Sequence, residues 1–302
     1  MSTITKFVDA QPFRIAIVGA GNIGSTFAFQ LSRVGKHEVT VVARPGSLRM
    51  QQLQRDKGII NEKGERAEVL VAERLDTNVA YDLIVVTTLR HQVNDVLPEL
   101  KASKANWIQL MFNCFEPEQL RDAVGSHRCS FGMPFVQAKL NGDGKLKATI
   151  GAMGQKTLMG DQRWVDVYTA AKLPSAFEPD MALWLRCHAP MCVAFESIAI
   201  SGVRRGGGAS WAEANTLSQG AHECWRLIEA QGYVIYPKGK ARLNNSPIVV
   251  LTLILWFMSR IKSFRELLAT GINECIALVD AMVTAASAMP QIVVAKIAAM
   301  KP

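Results

Sequence analysis

The chain has no apolar run long enough to span a bilayer. The longest, Ile248 to Met258, is interrupted by Thr252 and falls well short of the roughly 20 residues that a crossing helix needs, so a buried helix is expected there. Met1 to Gln11 is short and polar and has no signal-peptide apolar region. The six cysteines (Cys114, Cys129, Cys187, Cys192, Cys224 and Cys275) include no Cys-x-x-Cys pair. That spacing suggests neither a zinc knuckle nor a disulfide framework. A reduced cytoplasmic protein without a metal is the expectation. Low-complexity tracts and internal repeats are lacking as well. Aromatic residues make up only 7%, and none interleaves with the basic clusters Arg204-Arg205 and Lys238-Gly239-Lys240. The net charge of +8 therefore reads as a solvated surface or an attraction for anionic small molecules, with no nucleic acid and no membrane as partner.

What is present is concentrated between residues 14 and 44. A short β-branched run, Arg14 to Val18, leads into Gly19-Ala20-Gly21-Asn22-Ile23-Gly24, then a helical stretch to Gly35 and a second apolar run, Glu38 to Val42. Gly19 and Gly21 permit a tight turn and a close approach to a pyrophosphate, and Gly24 lets helix and strand pack closely. The helix start offers free N–H groups and a positive dipole end. Strand before and helix after turn a common glycine pattern into a dinucleotide fingerprint, with Asn22 and Ile23 in its cradle. An NAD site usually carries Asp or Glu at the end of the second strand. Here the chain reads Ala43-Arg44, with Arg49 further on. A guanidinium can grip a 2′-phosphate that a carboxylate would repel, so NADP(H) is the expected cofactor.

Beyond Arg44, a helix is expected over residues 45–58 and a small hairpin over 58–71. Buried strands are expected over 81–87 and 106–111, with helices near 92–101 and 117–124, and strand-like segments over 127–133 and 145–150. Past Pro179 strand signals almost vanish, and residues 181–202, 210–231 and 247–289 read as helical. The fold class expected is α/β, an N-terminal Rossmann-type doubly wound sheet with an all-helical C-terminal domain. The boundary divides residues 1–178 from 179–302.

Several further features resemble the ketopantoate reductases (2-dehydropantoate 2-reductases). The glycine motif and Val42-Ala43-Arg44 are followed by Asp82 to Thr87, Gln92-Val93, Phe112-Asn113-Cys114, Gly151, Trp184-Leu185-Arg186 and Glu274, in matching order across nearly the whole chain. The resemblance implies an NADPH-dependent reductase of a small 2-oxo acid. Arg44 would lie at the 2′-phosphate, and Thr87, Arg90 and Asn113 at the cofactor. A lysine on the first helix of the second domain would be the general acid. Asparagines, a serine and a glutamate would hold the substrate, so Asn113 and Glu274 match and Ser263 is the counterpart of the serine.

Two departures touch the chemistry. The lysine position is Arg186, which can steady an alkoxide but can hardly give up a proton. The asparagine one turn later is Pro190, with no side-chain donor. Leu89 stands where the family often has another lysine, with Arg90 beside it as a substitute, and His188 is an alternative acid or substrate contact. Each residue also has a plainer reading: Asn113 as a helix cap, Glu274 as an acid paired with a neighbouring cation, Arg186 as a surface arginine. The functional expectation is an NADPH-dependent oxo-acid reductase that forms a homodimer, with a non-catalytic NADP(H)-binding or sensor protein on the same fold as the alternative.

Overall fold

The computed structural model describes residues 11–302 and divides them into two compact units. The signal-peptide expectation for Met1 to Gln11 lies almost wholly outside the described residues. The first unit takes residues up to Thr88, Val96–Met111 and Val124–Phe177; the second takes Leu89–Asp95, Phe112–Ala123 and Glu178–Pro302. The helical half thus draws in two segments that the sequence expectation assigned to the N-terminal half.

In chain order the elements begin with β1 (Arg14–Val18), α1 (Asn22–Arg33), β2 (Glu38–Val42), α2 (Leu48–Asp56), β3 (Ile59–Ile60), β4 (Arg66–Ala67), β5 (Leu70–Ala72) and β6 (Leu83–Val86). They continue with α3 (Val93–Ala102), β7 (Ile108–Met111), α4 (Pro117–Val124), β8 (Cys129–Met133), β9 (Val136–Leu140), β10 (Leu146–Ile150), β11 (Thr157–Met159), α5 (Gln162–Ala170) and β12 (Ser175–Phe177). The remaining helices are α6 (Met181–Arg204), α7 (Trp211–Ala230), α8 (Lys238–Asn244), α9 (Ile248–Met258), α10 (Lys262–Leu268), α11 (Ile272–Ala285) and α12 (Gln291–Ala298).

The main sheet of the first unit has the order β12-β11-β8-β7-β6-β1-β2-β5. From β5 to β8 every pairing is parallel, and β11 adds antiparallel to β8. The chain passes from β1 to β2 on one side and returns to β6 on the other, which creates the switch point where doubly wound sheets bind ligands. Past the exposed Arg14, β1 is apolar, as is all of β6, in the manner of strands covered on both faces: Ile15, Ile17, Leu83 and Val85 are fully buried, with Phe27 and Leu31 of α1 in the same core.

Two sequence expectations need correction here. The segment around Val71, expected in a hairpin, joins the main sheet as β5 beside β2, while the hairpin itself is only β3 with β4. The apolar run 248–258 does form a helix, but it is buried only along Leu251, Thr252 and Leu255. Val249, Leu253 and Phe257 face outward on α9.

The second unit packs α6 and α7 around Val193, Ile198, Leu217 and Trp225, with Leu251 and Leu255 of α9 and Leu278 and Met282 of α11 in the same core. Pro190 lies inside α6 and removes one backbone donor. Nearby α6 carbonyls take side-chain donors: Trp225 Nε1 donates to Cys187 O at 3.3 Å and Lys240 Nζ to Trp184 O at 3.1 Å. No single helix among the described residues is long and apolar enough to cross a membrane.

Candidate active site

In the first unit the glycine loop closes at the switch point. Gly19 has φ +106°, a conformation that favours glycine, and its N–H donates to Val42 O at 3.2 Å. Thr87, at the end of β6, donates its hydroxyl to Gly19 O at 2.8 Å. A Cβ on Gly24 would meet Gly19 O at 1.9 Å, so only glycine lets α1 come this close. A Cβ on Gly21 would meet nothing within 4 Å. Open space therefore lies beside the start of α1, which has neither a side-chain cap nor an acid in its first turn. The donors of that turn and the helix dipole suit a pyrophosphate, and the glycine cradle fits a dinucleotide.

The flanking residues divide their tasks. Asn22 Oδ1 accepts from Leu140 N at 2.9 Å, and Ile23 packs against the core of the unit. Arg44 is exposed at the end of β2, and no acid pairs with it among the described residues. Ser47 holds the turn that carries it, donating Oγ to Arg44 O at 2.7 Å while capping α2 through Met50 N. Arg49 is spent inside the protein: it donates to Ala20 O (3.3 Å), Gly144 O (2.9 Å) and Ser25 Oγ (3.1 Å). Desolvation lowers its pKa to about 10.

In the second unit the structure brings together Asn113 and Glu274. Asn113 Nδ2 donates to Glu274 Oε1 at 3.0 Å, so its side chain reaches α11. Asn113 is 6% exposed, and its Oδ1 has no partner among the described residues. Burial pushes the Glu274 carboxyl above its ordinary range, against the Asn113 hydrogen bond and the nearby His91. No cation pairs with Glu274 at ion-pair distance among the described residues, contrary to its plainer reading.

Arg186 is neither on the surface nor joined to that pair. It is 4% exposed, bonded to Glu118 Oε2 and, at 3.4 Å, to Gln231 Oε1. Its guanidinium lies 4.4 Å from the centre of the Tyr233 ring and 5.6 Å from that of Phe115. His188 stacks on Trp184 with centroids 4.5 Å apart. Desolvation, helped by Lys240, lowers its pKa to about 3, so at neutral pH it carries no proton to donate as an imidazolium. Ser263 is an exposed hydroxyl on α10 with no hydrogen bond to Asn113 or Glu274 among the described residues. Arg90, just before α3, hydrogen-bonds the Cys114 thiol, which burial raises to about 11.

Sequence reasoning missed Glu118, Glu196 and Lys240. Trp184, His188, Cys192 and Glu196 recur every fourth residue on α6 and share one face. That stripe of chemical groups was the available signal. Lys240 Nζ sits 3.8 Å from the centre of the Trp184 ring, and desolvation lowers its pKa to about 7. All six cysteines are free and buried, and no group of three or more His, Cys, Asp and Glu among the described residues could hold a metal ion.

Comparison with known proteins agrees with this architecture. A family model described as ketopantoate reductase PanE/ApbA matches residues 15–162. No curated protein matches the sequence significantly. The chain is similar to the ketopantoate reductase of the PanE/ApbA family from Ralstonia eutropha JMP134 (TM-score 0.70, 17% identity, 95% of this chain and 98% of that one). It is also similar to the 2-dehydropantoate 2-reductase from Porphyromonas gingivalis W83 (TM-score 0.65, 14% identity, 95% and 98%). A third similar structure is D-mandelate dehydrogenase with NADH (TM-score 0.67, 14% identity, 95% and 97%). The chain therefore matches the ketopantoate reductase PanE/ApbA model over residues 15–162 and has the fold seen in the 2-dehydropantoate 2-reductase structures.

Proposed function

We propose that this protein is an NADPH-dependent reductase of a small 2-oxo acid. The observation that carries the reading is the open, uncapped start of α1 beside Gly21, with exposed Arg44 at the end of the neighbouring strand. The first-turn N–H groups of α1 would hold the pyrophosphate, and Arg44 the 2′-phosphate. The bound cofactor would supply a hydride to the keto carbon. Asn113 and Glu274 would meet the reacting end of the substrate, one as an amide and the other as a carboxyl group.

Arg186 takes no proton-donating part in this reading. A guanidinium stays charged, and this one already balances Glu118. The test is NADPH oxidation, followed by nicotinamide absorbance, over a panel of 2-oxo acids that includes ketopantoate and aryl-substituted glyoxylates. Saturable turnover with at least one acid is the expected result. NADPH binding with no turnover across the panel would contradict it.

The tethering of Arg186 also favours a second reading, a non-catalytic NADP(H)-binding protein on the same fold. Turnover that Glu274→Gln abolishes would exclude that reading.

A further inference from the structure

With Arg186 held by Glu118 and Pro190 bearing no polar group, the reduction proposed above lacks the proton donor that the lysine would supply. The molecule holds another. Glu196, on α6, lies between two thiols: Cys275 Sγ donates to Glu196 Oε2 at 2.9 Å, and Cys192 Sγ to Oε1 at 3.4 Å. The same Oε2 would lie 2.6 Å from a Cβ on Gly271, the residue just before α11. Glu196 therefore rests on the first turn of α11, the turn that also carries Glu274. Glu274 in turn accepts from Asn113, whose buried Oδ1 on the same planar amide lacks a hydrogen-bond partner among the described residues.

We infer that Glu274 and Glu196 form a proton-sharing carboxyl pair, in which Glu274 protonates the carbonyl oxygen of the substrate and Glu196 is the positioning residue that keeps that proton in place. This rests on the reductase reading. The balance is simple: the keto carbon receives the hydride from the reduced nicotinamide, and its C=O pair moves to the oxygen. That oxygen takes the proton from Glu274, which is left as a carboxylate. One proton from solvent then restores the pair.

The surroundings favour a retained proton. Glu196 is raised to about 7, first by burial and then by the charge of Glu274. Two carboxylates that feel each other's charge resist double ionisation, and the resulting ionisations belong to the pair. The opposing influences are the start of α11, the thiol and amide hydrogen bonds, and His91 near Glu274. Charges on the other helices packed on α6 are committed elsewhere. On α10, Arg265 donates to Ser259 O and Lys262 pairs with Glu266. On α7, Glu223 pairs with Lys296 of α12 and with Arg226. Cys192 and Cys275 are themselves raised, so they stay thiols at neutral pH.

The experiment compares wild type, Glu196→Gln and Glu274→Gln in two ways. Infrared difference spectra of the free protein, titrated with pH, should show a protonated carboxyl band persisting to near pH 7 in the wild type. In each variant the band should vanish about one pH unit lower or more. In turnover, Glu274→Gln should lose about 10²–10⁴-fold in kcat. Glu196→Gln should stay active at low pH while the upper limb of its kcat profile moves down with the infrared transition. A wild type without the band, or a Glu196→Gln protein whose band and limb stay in place, would overturn the inference. Failure of the reductase reading looks different: no turnover by wild type at any pH, with the infrared behaviour intact.

Discussion

Asn113 Nδ2 and Glu274 Oε1 lie 3.0 Å apart although 161 residues separate them in the chain. The bond joins the segment after β7 to the first turn of α11. The Oδ1 of Asn113 stays buried without a hydrogen-bond partner among the described residues. Asn113→Asp should place a second carboxyl against Glu274 and remove the amide donor. We expect the KM for the oxo acid to rise about tenfold, equivalent to roughly 1.4 kcal/mol, the size of one intramolecular hydrogen bond. Steady-state kinetics, with NADPH affinity as the control, checks it.

Arg44→Ala should discriminate between the two nicotinamide cofactors. Loss of a charge-assisted contact to the 2′-phosphate should weaken NADPH binding by about 10–100-fold and leave NADH binding nearly unchanged. Fluorescence titration of both cofactors measures this, and equal losses would show that Arg44 does not read the phosphate.

Two glycines of one motif should fail in different ways. Gly24→Ala forces a methyl group to within 1.9 Å of Gly19 O and should cost at least about 1–3 kcal/mol of stability. Gly21→Ala projects into open space, so the protein should melt near the wild-type temperature while cofactor binding drops sharply. Thermal melts beside binding titrations separate the two.

Removing the acid at Glu118 strands a buried guanidinium. Glu118→Ala should destabilise the protein by roughly 2–3 kcal/mol, moderated because Glu118 is itself partly exposed. Pairing it with Arg186→Met should recover most of the loss. Urea unfolding of both single variants and the double variant measures this coupling.

Two desolvated groups should give stability opposite slopes with pH. Lys240 is lowered from 10.5 to about 7, so between those values the unfolded chain binds more protons and stability rises with pH. Glu196 is raised from 4.5 to about 7. The folded protein binds more protons in that window, and stability falls as pH rises through it. Lys240→Met should flatten the alkaline slope and Glu196→Gln the acidic one, as read from urea midpoints across pH.

The fold was legible where local pattern and tertiary environment agree. The strands around Ile17 and Val85 are apolar because both faces are covered, and α4 begins at Pro117 as its N-terminal proline suggests. Three-residue strands such as β11 and β12 carry too little periodicity to be seen, and the pairing of β11 with β8 and of β12 with β11 is a tertiary property. The glycine turn and the position of Arg44 just after β2 were visible because both are local features. The tethering of Arg186 was not, since its partners Glu118, Gln231 and Tyr233 come from separate parts of the chain. Glu196 was overlooked because one acid on a largely apolar helix gives no sign of which thiols and carboxyls will surround it.

The most direct test of the account is the rate of NADPH oxidation by the wild-type protein with saturating 2-oxo acid, measured beside the same assay with NADH. The account predicts saturable turnover that favours NADPH and disappears in Glu274→Gln. Tight NADPH binding without turnover on any acid of the panel, or turnover indifferent to Glu274, would contradict it.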